Sequence, residues 1–356
     1  MDIKYEEPLY VDELSLHTVR VLGQGAFGSV TLKAHPGLGL YAKKTSPIRL
    51  KENLKKELRI MLYFRNHPRI VQASSEHVHL GMLLKDCHIY MEYASQGNLA
   101  EAISSFGGKP LPEHVIGRTT RMILQGLEAL HTHGYVHCDL KPDNILLFPS
   151  TSFGEPWDAK LADFGLSKEP NTFHVLKFAG TNMYMPPEVS EDPEGLVGPA
   201  LDIWSLGCVV FEMFGGKSME MEVGVTYVWK LEQEISPVAI DFLRRCHTWH
   251  PWNRASATEL LNHPFIMQRV LRVPLLIPSP PQRKQYLERP LFTPRVPGPL
   301  PTPIGPRKRQ QEAAVMVPEA KGSVVEDQST VEQNDVDSEE LYVTVEIECI
   351  LARQEI

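Results

Sequence analysis

His137-Cys138-Asp139-Leu140-Lys141-Pro142-Asp143-Asn144 places three complementary side chains within one short stretch. Asp139 can accept a hydroxyl proton. Lys141 can neutralise charge on a moving phosphoryl group. Asn144 can hold a metal ion. Downstream, Leu161-Ala162 leads as a short strand into Asp163-Phe164-Gly165, whose carboxylate is a second metal-binding group. Positioning and electrostatics dominate phosphoryl transfer, so a base, a lysine and two metal ligands are what such chemistry requires.

Upstream, Gly23-Gln24-Gly25-Ala26-Phe27-Gly28-Ser29-Val30 reads GxGxxGxV. Glycines let backbone N–H groups close on phosphate oxygens with no Cβ in the way. A dinucleotide-binding turn shares GxGxxG, but it needs a helix after the glycines and an acid about 20 residues on. Here Ser29-Val30-Thr31-Leu32 is strand-like, and the next charged landmark is Lys43-Lys44. Strand alternation puts Ala42 and Lys44 on one face and Lys43 on the other. A helix is predicted around Leu54–Phe64, with Leu54, Leu58 and Met61 on one face. Glu57 shares that stripe, where a carboxylate is costly unless paired. It either meets a cation, for which Lys44 is the natural partner, or sits at the wet edge of the stripe.

The organisation of the chain follows from composition. The 356 residues are 42% hydrophobic and 22% charged, which excludes whole-chain disorder. No apolar run approaches the roughly 18 residues of a membrane span. The start of the chain is too acidic and polar for a secretory signal. Five cysteines form no CxxC, and reduced thiols in a cytosolic or nuclear protein are expected. Of the net charge of −8, residues 307–356 hold five Lys/Arg against twelve Asp/Glu, a net −7. The nearly neutral remainder gives no reason to expect nucleic-acid binding. From Pro274 to Pro306 there are 11 prolines in 33 residues, which forbids helix and reads as an extended linker. The acidic stretch after it reads as disordered. Leu341, Val343, Val345, Ile347 and Cys349 alternate as in a strand, which either pairs with something or forms a mildly sticky end.

The expected body spans residues 14–268. Strands are predicted at Val19–Leu22, Val30–Lys33 and Leu40–Lys44. A helix opens at Pro112 and closes at Gly134. Ala200–Phe214 is apolar nearly all round and reads as a buried helix. Strands first and helices later make an α+β protein with two lobes.

Residues 14–268 resemble a eukaryotic protein kinase domain. Met183-Tyr184-Met185-Pro186-Pro187-Glu188 is similar to the family's YMAPE segment, with Pro186 in place of Ala. Asp202-Ile203-Trp204-Ser205-Leu206-Gly207 is similar to its DxWSLG helix, and His263-Pro264-Phe265 to its closing HPF. Arg254 matches the arginine that pairs with the glutamate of APE, here Glu188. The runs VHCDLKPDNILL, KLADFGLSKE, GTNMYMPPE and TELLNHPF resemble plant mitogen-activated protein kinase kinase kinases of the MEKK-like group. Lys141 and Gly180-Thr181 resemble Ser/Thr kinases and not tyrosine kinases.

The resemblance implies a bilobal fold with a β-rich N-lobe, a helical C-lobe and a disordered tail. Extension 1–13, kinase domain 14–268, Pro-rich linker 269–306 and acidic tail 307–356 are the implied parts. ATP would lie under Leu22, Gly23, Gln24, Gly25, Ala26, Phe27, Gly28, Ser29 and Val30, with Ala42 beneath the base. Met91 would be the gatekeeper, and backbone groups of Glu92 and Ala94 would grip adenine. Lys44, held by Glu57, would grip the phosphates, and Asn144 and Asp163 would hold Mg²⁺. Asp139 would orient the substrate hydroxyl, with Lys141 and Thr181 completing the site. The implied partner is a MAP kinase kinase as protein substrate, and the implied location is the cytoplasm, with the nucleus also open through Arg307-Lys308-Arg309.

Several positions depart from the pattern. Cys138 replaces the usual arginine, so the common partner of an activation-segment phosphate is missing, although Thr172 is a candidate phosphosite. Residues Gly216–Ser236 are short for the family, which puts the substrate-docking helix in doubt. His250 replaces an expected Asp, and Pro149–Trp157 reads as an insertion. These oddities motivate an alternative, a pseudokinase scaffold whose tail recruits partners. The complete set Lys44, Glu57, Asp139, Asn144 and Asp163 speaks against it. His131, His133 and His137 cluster in sequence, but helix-end and loop roles account for them better than a metal does. Ser279-Pro280, Thr293-Pro294 and Thr302-Pro303 are either sites for a proline-directed kinase or incidental to a Pro-rich tract.

Overall fold

The computed structural model describes residues 15–25, 27–81, 84–151, 155–171, 181–191, 197–220, 227–231 and 234–267. Extension 1–13, Ala26, Thr172, Gly180, the Pro-rich linker and the acidic tail with its alternating segment lie outside these residues.

The first half is one antiparallel sheet. It contains β1 (His17–Gly25), β2 (Gly28–His35), β3 (Gly39–Pro47), β4 (His79–Leu80) and β5 (Asp86–Glu92), in the order β1-β2-β3-β5-β4. Helix α1 (Lys51–Tyr63) follows β3 in the chain. Strands β1 to β3 contain the three predicted ones and extend beyond them, because the ladder runs into the glycines. Gly25 pairs with Gly28, and His35 with Gly39. At Gly28 φ is +133°, and a Cβ would fall 1.9 Å from the Thr45 carbonyl oxygen, so glycine alone fits. Alternation on β3 sends its adjacent lysines opposite ways. Tyr41 packs with Tyr90, Leu16 and Leu38 on the outer face, where Lys43 Nζ lies 5.7 Å from the Tyr90 ring centre. Ala42 joins the main core on the inner face.

The second half is helical. Helix α2 (Leu99–Ser105) is capped by Asn98, whose side chain accepts from the Glu101 N–H. Helix α3 (Glu113–Thr132) starts after Pro112. Gly134, at φ +79°, turns the chain out and donates its N–H to the His131 carbonyl. Strands β6 (Ile145–Phe148) and β7 (Asp158–Leu161) form a hairpin, followed by α4 (Pro187–Glu191) and α5 (Ala200–Met213). The insertion between β6 and β7 is anchored by buried Trp157, whose Nε1–H donates to Thr119 Oγ1 at 3.0 Å. Strands β8 (Lys217–Glu220) and β9 (Tyr227–Lys230) pair where the docking helix was in doubt, and no helix occurs among the described residues of 216–236. Helices α6 (Pro237–Cys246), α7 (Ala257–Leu261) and α8 (Pro264–Met267) close the body.

Helix α5 is the centre of the helical half. Ile203, Leu206, Val209, Val210, Phe211 and Met213 are all buried, as its all-round apolar character predicts. Arg254 stacks 5.0 Å from the Trp204 ring and forks onto Glu188, with Nη1–Oε1 at 2.7 Å and Nη2–Oε2 at 3.0 Å.

Candidate active site

Lys44 draws the two halves together. Its Nζ lies 2.8 Å from Glu57 Oε1, 2.7 Å from Glu57 Oε2 and 2.9 Å from Asp163 Oδ1. Glu57 is therefore paired and not at a wet edge; its side chain is 3% exposed. Burial lowers the Lys44 pKa, but the two carboxylates outweigh burial and raise it, so the group stays an ammonium. Burial pushes Glu57 up to about 7 against the pull of Lys44, with the neighbouring Asp163 charge adding to the rise. Burial also acts on Asp163, yet Lys44 prevails and holds that carboxyl below its ordinary value.

The catalytic stretch is held in shape by a buried anion. Asp202 Oδ2 accepts the His137 N–H at 2.8 Å and Oδ1 the Cys138 N–H at 2.9 Å, while His131 Nε2 meets Oδ2 at 2.8 Å. Two backbone donors and an imidazole compensate a carboxylate with no solvent exposure. Cys138 and Asp163 take left-handed conformations, with φ of +67° and +64°. Such strain persists only where the surroundings over-determine it. His137 Nδ1 accepts from the Asp139 N–H at 3.3 Å, so its other nitrogen carries the proton and donates to the Ala162 carbonyl at 3.0 Å. The three histidines of the sequence cluster thus have separate roles, with His133 bonded to the Ala129 carbonyl.

Around Asp139 the predicted groups converge. Its Oδ2 accepts from Lys141 Nζ at 2.9 Å and Asn144 Nδ2 at 3.0 Å. Its Oδ1 accepts from the Thr181 N–H and hydroxyl, each at 3.2 Å. Lys141 Nζ also donates to Thr181 Oγ1 at 2.9 Å. Four donors fix the Asp139 carboxylate in one defined orientation.

A cavity is lined by Phe27, Lys44, Glu57, Asp139, Asp163 and Leu166, among others. Three carboxylates, of Glu57, Asp139 and Asp163, against the Lys44 ammonium leave a net negative charge in it, which suits a cation. Asn144 Nδ2 donates to the Asp139 carbonyl at 2.8 Å, so its amide oxygen is the atom able to face a metal. Carboxylate and amide oxygens are the hard donors that Mg²⁺ takes. At Gly23 and Gly25 an added Cβ would meet nothing within 4 Å, so the turn borders open space that phosphates can enter.

Ala42 and Met91 belong to the main core and Leu22 and Val30 pack against it, and none of the four lines the cavity. Val30 pairs with Lys44 and Ala42 with Met91 across the ladder, and Gln24 pairs with Ser29 at the glycine turn. The Glu92 carboxylate is bound by Lys160 Nζ, at 2.8 Å to both oxygens, and by the Gln72 N–H at 2.7 Å. Ala94 accepts from Gly97 N–H at 3.2 Å. Glu92 and Ala94 do not line the cavity, and Ala26 is outside the described residues. Leu50 and Asn53, which sequence reasoning missed, also line it. They precede Glu57 at helical spacing, a readable signal once Glu57 is placed inward. Asp202 was missed as the organiser of the stretch, although an acid in an otherwise apolar helix demands partners.

A family model for the protein kinase domain matches residues 16–266. Mitogen-activated protein kinase kinase kinase 20 of Arabidopsis thaliana is 37% identical over 197 residues, covering 50% of this chain and 55% of the relative. Mitogen-activated protein kinase kinase kinase 17 of the same plant is 32% identical over 275 residues, covering 73% and 72%. Mitogen-activated protein kinase kinase kinase 3, also from Arabidopsis, is 34% identical over 266 residues, covering 69% of this chain and 42% of the relative. With that match and the convergence of Lys44, Glu57 and Asp163, the chain belongs to the protein kinase family.

Proposed function

We propose that the chain is a serine/threonine protein kinase that uses ATP with Mg²⁺ and phosphorylates a MAP kinase kinase. The observation that carries this is the Lys44 ammonium lying within 2.9 Å of both Glu57 and Asp163. ATP with its metal supplies the transferable phosphoryl group. Lys44 binds phosphate oxygens, and the Gly23–Val30 turn closes its N–H groups over them. Leu22, Val30, Ala42 and Met91 cover the base, with main-chain groups of Glu92 and Ala94 along its edge. Asn144 and Asp163 would hold the metal. Asp139 orients the substrate hydroxyl and takes its proton, while Lys141 and Thr181 fix that carboxylate.

The names of the relatives support a MAP kinase kinase as substrate. Incubation with a panel of MAP kinase kinases and labelled ATP tests this, with Asp139→Asn as control. Transfer to one or more members, lost in the control, is expected. Phosphorylation of generic basic protein but of no panel member would remove the substrate assignment and leave the activity.

Division into a 14–268 domain, a linker and an acidic tail is part of the same proposal. Limited proteolysis should leave a resistant fragment near those bounds. Cys87, Cys138, Cys208 and Cys246 are free and buried, in keeping with a cytoplasmic or nuclear location. A fluorescent fusion found only in the secretory pathway would refute that placement.

A further inference from the structure

Glu57 reaches Lys44 only while α1 stays docked, so whatever holds α1 governs the site. Arg59, two residues past Glu57, lies on another flank of the helix. It forks onto Glu169, with Nη2–Oε2 at 2.8 Å and Nε–Oε1 at 3.3 Å. Glu169 is well placed as an anchor. Its neighbour Lys168 exchanges backbone hydrogen bonds with Val136, N–H to carbonyl at 2.8 and 3.1 Å, and Ser167 Oγ donates to the His137 carbonyl at 3.0 Å. Arg59 is thus tied, through one residue, to the backbone of the catalytic stretch.

At position 138 the side chain is a buried thiol that contacts the Val136 carbonyl at 3.5 Å, and it offers no charge to an anion on the activation segment. A cation for that purpose would have to come from elsewhere, and α1 already directs one at a carboxylate encoded in the chain. We infer that Arg59 and Glu169 are positioning residues for phosphoryl transfer, a permanent ion pair that holds α1 and Glu57 in the working arrangement without a phosphate on the activation segment. The inference rests on the kinase reading, and its test separates the two.

The pair is solvent-accessible, with side-chain exposures of 56% and 24%, so its removal leaves the core intact and its effect is modest. In the full-length chain, Arg59→Ala and Glu169→Ala should each lower kcat by about two- to fivefold, with the KM for protein substrate unchanged. Each should speed amide exchange over residues 51–63. The double variant should be no worse than either single, because both remove one interaction. Arg59→Lys should retain more activity than Arg59→Ala, and Thr172→Ala should leave kcat unchanged. Losses that multiply in the double variant, single variants with wild-type kcat and exchange, or a Thr172→Ala protein that is inactive would each overturn the inference. A wild-type chain that transfers no phosphate would instead sink the kinase reading itself.

Discussion

On the proposed function, transfer should depend most on Lys44, which links the sheet to both carboxylates. Lys44→Met should lower kcat by on the order of a hundredfold or more, measured as phosphate transfer to a generic substrate. Glu212 offers a test that is independent of catalysis. Burial pushes its carboxyl from 4.5 up to about 7, although the Tyr184 hydroxyl donates to it. The folded chain therefore keeps a proton there that the unfolded chain releases near 4.5. Its contribution to stability is complete below that value and is lost as pH rises to about 7. Urea denaturation of wild type against Glu212→Gln should show the difference shifting against wild type across this window, by no more than about 1.4 kcal/mol per pH unit, and levelling above it. At this scale much was legible in the sequence. That Asp139, Lys141 and Asn144 meet, and that Asp163 meets Lys44, was foreseen from the type and spacing of these polar groups. Glu57 was ambiguous, since one helix cannot say what lies across from it. Asp202 was not assigned, since its partners are backbone N–H groups that no side-chain pattern records.

Elements with uniform character were equally readable. Helix α5 is buried nearly all round because its residues are mostly apolar, and α3 is bounded by Pro112 and Gly134 at the positions their backbones allow. Close contact between α5 and α6 gives a sharp expectation. A Cβ at Gly207 would lie 2.6 Å from the His247 ring and 2.8 Å from Cys246 Cβ. Gly207→Ala should therefore destabilise the protein by about 1–3 kcal/mol, read from the urea midpoint. Arg254 is fully enclosed and holds Glu188. Arg254→Ala should cost about 3–5 kcal/mol, because it strands a partly buried carboxylate and several carbonyls. The β8–β9 hairpin was not foreseen. Its strands are four residues each and take their register from pairing, a non-local choice that short segments do not announce.

For the molecule as a whole, two lobes were expected from strands preceding helices, and one continuous core runs from Ala42 and Leu54 to Phe265 and Ile266. Nucleotide should act on this entire unit by mass action. MgATP at about 100 times its Kd should add about 2.7 kcal/mol to unfolding, and chelation of the metal should remove most of that gain. Thermal denaturation with and without EDTA measures it, and Asp163→Asn should abolish the metal-dependent part. The tail was legible only as composition, because proline density and charge say what a segment cannot fold into and not what it meets.

One feature reaches beyond catalysis. Cys87, Cys208 and Cys246 are fully enclosed and Cys138 nearly so, with burial raising each thiol above its ordinary value. Cys87 belongs to the sheet, Cys138 to the catalytic stretch and the other two to the helical half. A chromogenic sulfhydryl reagent is therefore a natural stopwatch for breathing motions. Peptide mapping of which sulfur reacts first would reveal the sequence in which the molecule comes apart.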